Sequence, residues 1–425
     1  MHRLSISFVS LLALAGTASA QPAPAPGPTE PPVTPADQPP NAPAQPPAEA
    51  AATPPPPPPE PRPADPRKLS VGKDSPGATF TPSVLMQGWF VYDETSTLGA
   101  TTTKLSTSTF RIRRLEIAAG GDIIPGFVKY KLMFDPSRVR DTLNTANAAG
   151  TTAGTVVPVR TPASALSTLQ DFFITFQSTL ADFSIGQFKN TVSWEGYASA
   201  ARILLPERSF LGNLLGGQRD LGIRLDKTFK TFMYSLNLFN GAGQNNFDNN
   251  NQKDVSLRVE IYPVPGLTIG GATYDSLGYR TRAGTKDRWE GDLRYEGGPF
   301  LFQSEFIHTH DVFASGAAAV DGQGFYAAVG YRFPEMGSGN WRGVLQPVVR
   351  FGMFDPDTNI DLDPSKVAAG NFGGNDERTD YEVGLNYYLR SHEMKLQASY
   401  DRQQFDNSDL KAPVNEVIVA AQISF

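Results

Sequence analysis

The chain has 425 residues, no cysteine, and 37 Lys plus Arg against 43 Asp plus Glu. The lack of cysteine excludes a disulfide framework, a thiolate metal site and a cysteine nucleophile, and the acidic balance argues against a nucleic-acid partner. The length fits two or three soluble domains or one large β-structure. No stretch approaches the roughly twenty apolar residues of a membrane-spanning helix, which excludes a helical membrane protein.

The first residues have the pattern of a secretory signal peptide, predicted over 1–20. Arg3 supplies the positive start, Leu4 to Leu14 the short apolar core, and residues 18–20 a small-residue cleavage site. We expect Gln21 to be the mature start. No cysteine follows the cleavage site, so a lipoprotein anchor is excluded.

Residues 21–79 are predicted to form a disordered periplasmic linker. Pro and Ala dominate 21–66, which includes the unbroken run from Pro54 to Pro59. Such a segment has little to bury and favours an extended, polyproline-II-like conformation. It is either a spacer without a partner or a tether to peptidoglycan or a periplasmic protein, and both interpretations stay open.

Residues 80–425 are predicted to be an all-β domain, a sixteen-stranded antiparallel transmembrane β-barrel. Short segments with period-2 alternation are bounded by Gly, Pro, Asn and Asp. An even number of strands is typical of a single-chain bacterial barrel. The predicted strands are 83–92, 107–118, 126–134, 168–177, 183–190, 219–226, 231–239, 254–262, 267–275, 287–296, 300–308, 324–333, 343–353, 380–390, 392–400 and 415–425.

The connections alternate in length along the chain. Even-numbered strands lead into short turns such as Gly120–Pro125, Asp226–Lys230, Pro263–Gly266 and Glu296–Pro299. Odd-numbered strands lead into long loops at 93–106, 135–167, 191–218, 240–253, 276–286, 309–323, 354–379 and 401–414. Short turns on one rim and long loops on the other are typical of the bacterial outer membrane, whereas a soluble β-sandwich gives no reason for this alternation.

The last predicted strand, 415–425, has one apolar face that ends on Phe425. Alternate residues of a strand point to opposite faces, so Val417, Val419 and Ile423 share the Phe425 side. The pattern resembles the insertion signal of outer-membrane barrels. We expect this strand to pair with 83–92 and so to remove both edges of the sheet.

The opposite faces of the predicted strands carry charges. Lys129 and Lys131 alternate with apolar residues, as do Arg258 and Glu260. Sixteen strands enclose a lumen wide enough for water, and so many inward charges are reasonable only if water is there. Arg111, Arg113, Lys129 and Lys131 are predicted to form a basic patch on adjacent walls that hands anions along. The alternative is that they wet the lumen and pair with Asp171, Glu116 or Asp135.

Six motifs, in this order, resemble the phosphate-selective porin O and P family. They are Phe-Arg-Ile-Arg-Arg114, Val-Lys-Tyr-Lys-Leu-Met-Phe-Asp135, Gly-Gln-Phe-Lys189, Pro-Glu-Arg-Ser209, Arg-Asp-Leu-Gly222 and Phe-Asn-Gly-Ala-Gly243. The resemblance covers residues 83 to 425. It implies an outer-membrane porin, usually trimeric, with a lumenal ladder of Arg and Lys and a constriction formed by the third long loop. Acidic residues outnumber basic ones in the barrel as well, a departure that leaves phosphate selectivity open.

The third long loop, 191–218, is therefore the second candidate region. Lys189, Arg202 and Arg208 are the predicted constriction cations, and Glu195 and Glu207 lie among them. A constriction with both signs would orient polar solutes by a transverse field, and an all-basic one would select anions. Arg224 and Arg258 complete the set of predicted pore-lining residues.

The predicted function is passive diffusion of small anions, including phosphate or polyphosphate, through a homotrimeric channel surrounded by outer-membrane lipid. The alternatives are a general polar-solute porin without anion preference and a non-conducting envelope anchor that acts through the Pro-rich segment. We predict no enzyme, cofactor or metal, because no nucleophile lies beside a held His. His308 and His310 share a strand face but have no third ligand at the required spacing.

Overall fold

The computed structural model describes residues 69–70, 77–96, 104–140, 143–146, 157–160, 168–248, 250–277, 285–312, 319–358, 377–406 and 412–425. The predicted signal peptide, and the predicted linker apart from residues 69–70 and 77–79, lie outside this part of the chain, so both stay predictions. Within it, no helix has the length and apolar character needed to cross a membrane.

A closed antiparallel barrel of sixteen strands confirms the predicted fold. The sheet has 17 strands in all, because the two-residue strand Leu69–Ser70 pairs with the start of the first barrel strand. The barrel strands are β1 (Thr79–Ser96), β2 (Lys104–Ile124), β3 (Val128–Phe134), β4 (Leu169–Phe176), β5 (Asp182–Lys189), β6 (Arg219–Thr228), β7 (Phe232–Phe239), β8 (Asp254–Ile261), β9 (Leu267–Asp275), β10 (Thr285–Gly297), β11 (Phe300–Val312), β12 (Val320–Tyr331), β13 (Val344–Asp355), β14 (Arg378–Arg390), β15 (Met394–Phe405) and β16 (Val414–Ser424).

The closing strand pairs as predicted. Every strand is hydrogen-bonded to its neighbours in the chain, and β16 returns to β1, with Val417 opposite Tyr92 and Ser424 opposite Leu85. The backbones of Val84 and Phe425 exchange two further hydrogen bonds, of 2.8 and 3.0 Å. The ring therefore has no free edge for another chain to extend.

Strand alternation sorts side chains between lipid and lumen. On β8, Leu257 and Val259 are 39% and 41% exposed on the outer face, whereas Ser256 and Arg258 are completely buried. The same division holds on β10, β14 and β16, where the predicted apolar rows face outward. A surface of this kind suits hydrocarbon outside and a polar interior.

Six of the seven even-numbered connections are tight turns on one rim. They span 125–127, 177–181, 229–231, 262–266, 298–299 and 391–393. Gly266 has a φ of +82°, and a Cβ there would lie 2.3 Å from the carbonyl oxygen of Glu296. Exposed aromatic pairs such as Phe229–Phe232 and Phe300–Tyr331 mark this rim, as expected of an interfacial girdle.

Several predicted boundaries were wrong. The β1–β2 and β11–β12 hairpins extend into the predicted loops 93–106 and 309–323, because their Ser- and Thr-rich or small residues continue the ladder of backbone hydrogen bonds. The predicted turn at 120–125 is mostly β2, which runs to Ile124. The connection after β12 is longer than the other turns and contains a short 3₁₀ helix, Gly339–Trp341.

The second and third long loops have structure of their own. The second contains a 3₁₀ helix, Pro136–Arg140, and a hairpin of Leu143–Ala146 with Val157–Arg160. The third contains two short helices, α1 (Trp194–Tyr197) and α2 (Phe210–Leu214). Apolar clusters lie inside the barrel, between the third loop and the wall; one joins Leu211 and Leu215 to Ile307, Tyr326 and Phe354.

Candidate functional site

The third long loop folds into the barrel, the position on which the predicted constriction depends. Ser193 and Ser209 cap α1 and α2 by accepting 3.0 Å hydrogen bonds from the N–H groups of Gly196 and Gly212. The backbone of Ser209 also donates to the carboxylate of Glu195 at 2.8 Å. These bonds tie the two helices into one compact unit within the lumen.

One side of the loop is sealed against the wall formed by β10–β16 and β1. Its segment 200–205, which consists mainly of turns and bends, presents backbone carbonyls, and β1, β14, β15 and β16 supply donors to them. The donors are Gln87 to Ala200, Gln422 to Ala201, Lys395 to Ile203, and Asn386 and Gln397 to Leu204, at 2.8 to 3.4 Å. Since buried carbonyls need partners, this row of donors holds the segment in place.

Buried ion pairs complete the sealed side. Arg350 on β13 contacts Glu195 of the loop at 3.3 Å and also pairs with Glu382 on β14. Behind the loop, Arg258 is enclosed by carboxylates on β8 and β10, including Glu260 at 2.9 Å and Glu290 at 3.1 Å. Both arginines therefore have acidic partners, whereas Lys395 on the same side binds the backbone carbonyl of Ile203.

The opposite side of the loop faces the open lumen and begins with a clamp on Glu207. Arg113 and Arg114 of β2 donate to its two carboxylate oxygens at 2.6 and 2.8 Å. Burial alone would raise the pKa of Glu207, but the charges and hydrogen bonds of Arg114 and Arg113 outweigh it and hold the pKa well below its usual range. The loop is therefore attached to β2 by an ionised carboxylate.

Lys189 and Arg208 both bind backbone carbonyls at the end of α1. The Lys189 ammonium donates to the carbonyls of Gly196, Tyr197 and Ala198 at 3.1 to 3.4 Å. Arg208 donates to those of Glu195 and Ala198 at 2.8 Å. Burial, and then the charge of Arg114, lower the pKa of Arg208 to about 10, which still leaves it charged at neutral pH. Carbonyls satisfy these donors without cancelling their charge.

These side chains surround a cavity of about 460 Å³ between the loop and β2, β5 and β6. Six cations line it, Arg113, Arg114, Arg138, Lys189, Arg208 and Arg219, against two acids, Glu116 and Asp135. Arg219 pairs with Asp171 at 2.6 Å, and Arg138 lies 3.6 Å from Asp135. We call this space the basic cavity.

A second cavity of about 300 Å³ lies towards the short-turn rim. Ser199 and Ala201 of the third loop line it on one side, and Lys131, Glu393 and Ser424 of the barrel line it on the other. Lys131 pairs with Asp171 at 2.8 Å, as the alternative interpretation of the basic patch allowed. We call this space the lower cavity; Glu116 lines it as well as the basic cavity.

The remaining predicted pore residues are dispersed. Arg111 is exposed, with its guanidinium 4.9 Å from the ring centre of Trp89, and Lys129 is exposed on the same face of β3 as Lys131. Arg224 lies 4.6 Å from the ring centre of Phe188 and 3.0 Å from Asp226. Arg258 is buried among the carboxylates of β8 and β10, away from the basic cavity.

Arg202 is exposed on the loop, near the turn that carries His392. Burial and neighbouring cations, Arg202 among them, lower the pKa of His392 to about 4, so this imidazole is neutral at physiological pH. Arg111, Lys129 and Arg202 form no ion pair within the part of the chain that the structure describes.

Sequence reasoning did not select Arg114, Arg138 or Arg219 as lining residues. Strict alternation would turn Arg114 away from Arg113, but a β-bulge shifts the register between Gln87 and Gly88 and leaves both guanidinia inside. Arg219 directly follows the third loop and begins the motif Arg-Asp-Leu-Gly222, so its position in that motif could have identified it as a lining residue. Arg138 lies on the 3₁₀ helix of the second loop, which no periodicity predicted.

His308 and His310 lie together on the outer face of β11, and both approach Asp321. His310 Nδ1 is 2.6 Å and His308 Nε2 is 3.8 Å from the same carboxylate oxygen. Among the described residues, no group of three or more His, Asp or Glu side chains has an arrangement that could hold a metal ion. Neither histidine lines the basic cavity or the lower cavity.

Comparison with known sequences supports the motif-based resemblance. The family described as phosphate-selective porin O and P matches residues 85–294, about half of the chain and most of the candidate site. A search of curated proteins finds no significant match.

Solved structures of outer-membrane channels share the fold. The outer membrane channel DcaP of Acinetobacter baumannii is 13% identical, covers 84% of this chain and 100% of its own, and gives a TM-score of 0.54. The anion-selective porin from Comamonas acidovorans is 11% identical, with coverages of 82% and 100% and a TM-score of 0.50. OmpT of Vibrio cholerae in its trimer form is also 11% identical, with coverages of 82% and 100% and a TM-score of 0.50.

At identities of 11% to 13%, the solved structures show only that the fold is a barrel of this kind. The resemblance to a particular family rests on the sequence match over residues 85–294. A closed sixteen-stranded barrel with a third loop in its lumen has the architecture of an outer-membrane channel. With its motifs in the family's order, this chain matches the phosphate-selective porin O and P family over residues 85–294, which include the constriction.

Proposed function

We propose that this protein is a passive diffusion channel of the outer membrane that prefers small anions. The observation that carries the proposal is the charge of the basic cavity. Arg113, Arg114 and Arg219 share nearby carboxylates, but Lys189 and Arg208 are held only by neutral carbonyls. Neither of these two cations has a carboxylate as a hydrogen-bond or ion-pair partner within the described part of the chain.

A positive cavity of this kind favours anions for electrostatic reasons. Charges of one sign within low-dielectric walls raise the local concentration of the opposite ion. Conduction also requires that no single site hold the ion too tightly. The wide set of cations, from exposed Arg111 and Lys129 to the basic cavity, offers several weak sites in place of one strong one.

The comparisons support the same direction. The Comamonas acidovorans neighbour is described as anion-selective, and the family description names phosphate. Phosphate is accordingly the first anion to test against chloride, with polyphosphate after it. A general polar-solute porin without anion preference is the competing possibility.

The test is the reversal potential of single channels in a KCl gradient across a planar bilayer. We expect an anion-selective value that shifts towards cations in the double variant Arg111→Gln, Arg113→Gln. Arg342→Gln, at the exposed short-turn rim where Arg342 pairs with Glu335, is the matched control and should leave the value unchanged. A cation-selective or unselective wild type would refute the proposal, and the absence of single-channel steps would favour the envelope-anchor interpretation.

We extend the proposal to a homotrimer, since OmpT of Vibrio cholerae has been solved in a trimer form. The predicted observation is a species of three times the monomer mass in mild detergent, measured by light scattering coupled to gel filtration. A monomeric mass in every mild detergent tested would contradict it.

Contact of residues 21–66 with peptidoglycan is a separate proposal that rests on their composition.

A further inference from the structure

Glu116 differs from Asp135 and Glu207, the other acids beside the basic cavity, because its side chain forms no hydrogen bond or ion pair within the described part of the chain. It lies on the inner face of β2 opposite Leu85, two residues beyond Arg114. Asp135 accepts hydrogen bonds from Leu115 and Ser137, and Glu207 is clamped by two arginines. Glu116 has no comparable hydrogen bond or ion pair.

Its position is as distinctive as its lack of a partner. Glu116 is the acid that lines both the basic cavity and the lower cavity, so it lies where the two spaces adjoin. Lys189 and Arg208 are close enough for its charge to act on them. A solute that moves from one cavity to the other therefore passes a carboxylate that has no ion-pair partner directly after two cations that have none.

We propose that Glu116 is a specificity-determining residue that disfavours simple anions and favours zwitterionic solutes. The anionic end of such a solute would interact with the Lys189 and Arg208 side of the basic cavity, and its ammonium end with Glu116. Adjacent charges of opposite sign orient a dipolar solute and lower the cost of bringing both of its ends out of bulk water. A simple anion gains from the cations but is repelled by Glu116.

The inference deepens the proposed function, since the cationic half of the pair is the one that attracts anions. The first experiment uses Glu116→Gln, which keeps the shape of the side chain and removes its charge. The KCl reversal potential should shift further towards anions. In proteoliposome swelling, the ratio of glycine to glycolate permeation should fall about two- to fivefold, the scale of one solvent-screened charge contact.

Glu335→Gln is the matched control, because Glu335 is an exposed acid at the short-turn rim, outside both cavities. It should change neither quantity. An unchanged reversal potential and an unchanged permeation ratio in Glu116→Gln would overturn the inference. The proposed function fails by a different result, a wild type without anion preference, which leaves the effect of Glu116→Gln measurable.

A second measurement avoids any dependence on how Glu116→Gln folds. The chain has no cysteine, so Glu116→Cys would be its only thiol and could be modified in channels that already conduct. A positively charged methanethiosulfonate should raise anion selectivity, and a negatively charged one should restore wild-type behaviour. Ile117→Cys, whose side chain faces outward, is the control and should not respond. If both reagents leave Glu116→Cys unchanged, Glu116 does not set selectivity.

Discussion

The two sides of the third long loop solve the same problem, buried polar groups, in different ways. On the sealed side, carbonyls of 200–205 meet amides and one lysine from the wall, and Arg350 and Arg258 have acidic partners. On the open side, Lys189 and Arg208 bind carbonyls alone. On the sealed side both arginines are paired with carboxylates and Lys395 binds a carbonyl, whereas on the open side both of these cations bind carbonyls and leave a net charge.

The difference follows from what replaces water. Removing two opposite charges from water is tolerable only if each becomes the partner of the other, and such a pair has little field beyond itself. A cation at the edge of a wet lumen is stabilised by solvent as well as by carbonyls. The side on which the loop packs therefore decides which cations hold the fold and which act on solutes.

The largest effect is expected from breaking the sealed side at Arg350. Arg350→Met removes the partner of buried Glu195 and Glu382, and leaving a buried charge uncompensated costs about 3–5 kcal/mol. The free energy of unfolding should fall by about that amount in urea titrations of detergent-refolded protein. Single-channel conductance should also become larger and noisier, because Glu195 no longer holds α1 to the wall.

Arg342→Gln provides the comparison for this prediction as well. Its ion pair with Glu335 is exposed, so its loss should cost less than about 1 kcal/mol. If both variants lost the same free energy of unfolding, the buried ion pairs of Arg350 would stabilise the protein no more than an exposed surface pair does.

A smaller effect is expected inside the loop, at Gly196. A Cβ there would lie 2.3 Å from the Cα of Gly216, so Gly196→Ala forces two backbone segments apart. Overpacking of this kind costs about 1–3 kcal/mol. Because the carbonyls of 195–198 hold Lys189 and Arg208, anion selectivity should change together with stability, as measured by reversal potential and urea titration.

Gly291→Ala is the control for this substitution, since nothing lies within 4 Å of a Cβ at that position. It should affect neither measurement. If Gly196→Ala changes stability but leaves the reversal potential as it was, the carbonyls do not position the two cations.

The smallest effect is expected at the Glu207 clamp. Glu207→Gln weakens two charge-assisted hydrogen bonds, at a cost of about 1–2 kcal/mol, and frees two guanidinium charges. The reversal potential should shift towards anions. The pKa of Glu207 is depressed, so its contribution to stability is present above the ordinary value of 4.5 and is lost only as pH falls below it towards the folded pKa.

The stability difference between wild type and Glu207→Gln should therefore be the same at pH 7 and pH 4.5, and should shrink at more acidic pH. Urea titrations of both proteins across that range provide the measurement. A difference that already disappears by pH 4.5 would mean that the arginines do not stabilise the ionised carboxylate.

Much of the fold could be predicted because lipid on one side and water on the other impose a simple alternation. The alternation of residues from Val255 to Ile261 shows which side chains face lipid, and the alternation of short turns with long loops gives the strand order. Three cations could be selected because Arg202 and Arg208 lie within a long predicted loop and Lys189 lies just before it. These features depend on local sequence alone.

The division into two sides could not be predicted, because it depends on partners far apart in the chain. Nothing near Lys395 indicates that it binds the carbonyl of Ile203, and nothing near Arg350 indicates Glu195. The inward position of the Arg114 side chain could not be predicted for a related reason. A bulge depends on how two strands pair, whereas alternation counts residues on one strand.

That bulge reverses the side-chain alternation of β2, so the residues before it and after it face outward at positions of opposite parity. Before it, even-numbered residues such as Phe110 and Ile112 face outward; after it, odd-numbered residues such as Ile117 do so. A deletion of Arg113 would join the halves into one uninterrupted alternation with both lipid faces intact. This strand can therefore gain or lose a lumenal guanidinium by a one-codon change that a membrane-facing strand would ordinarily not survive.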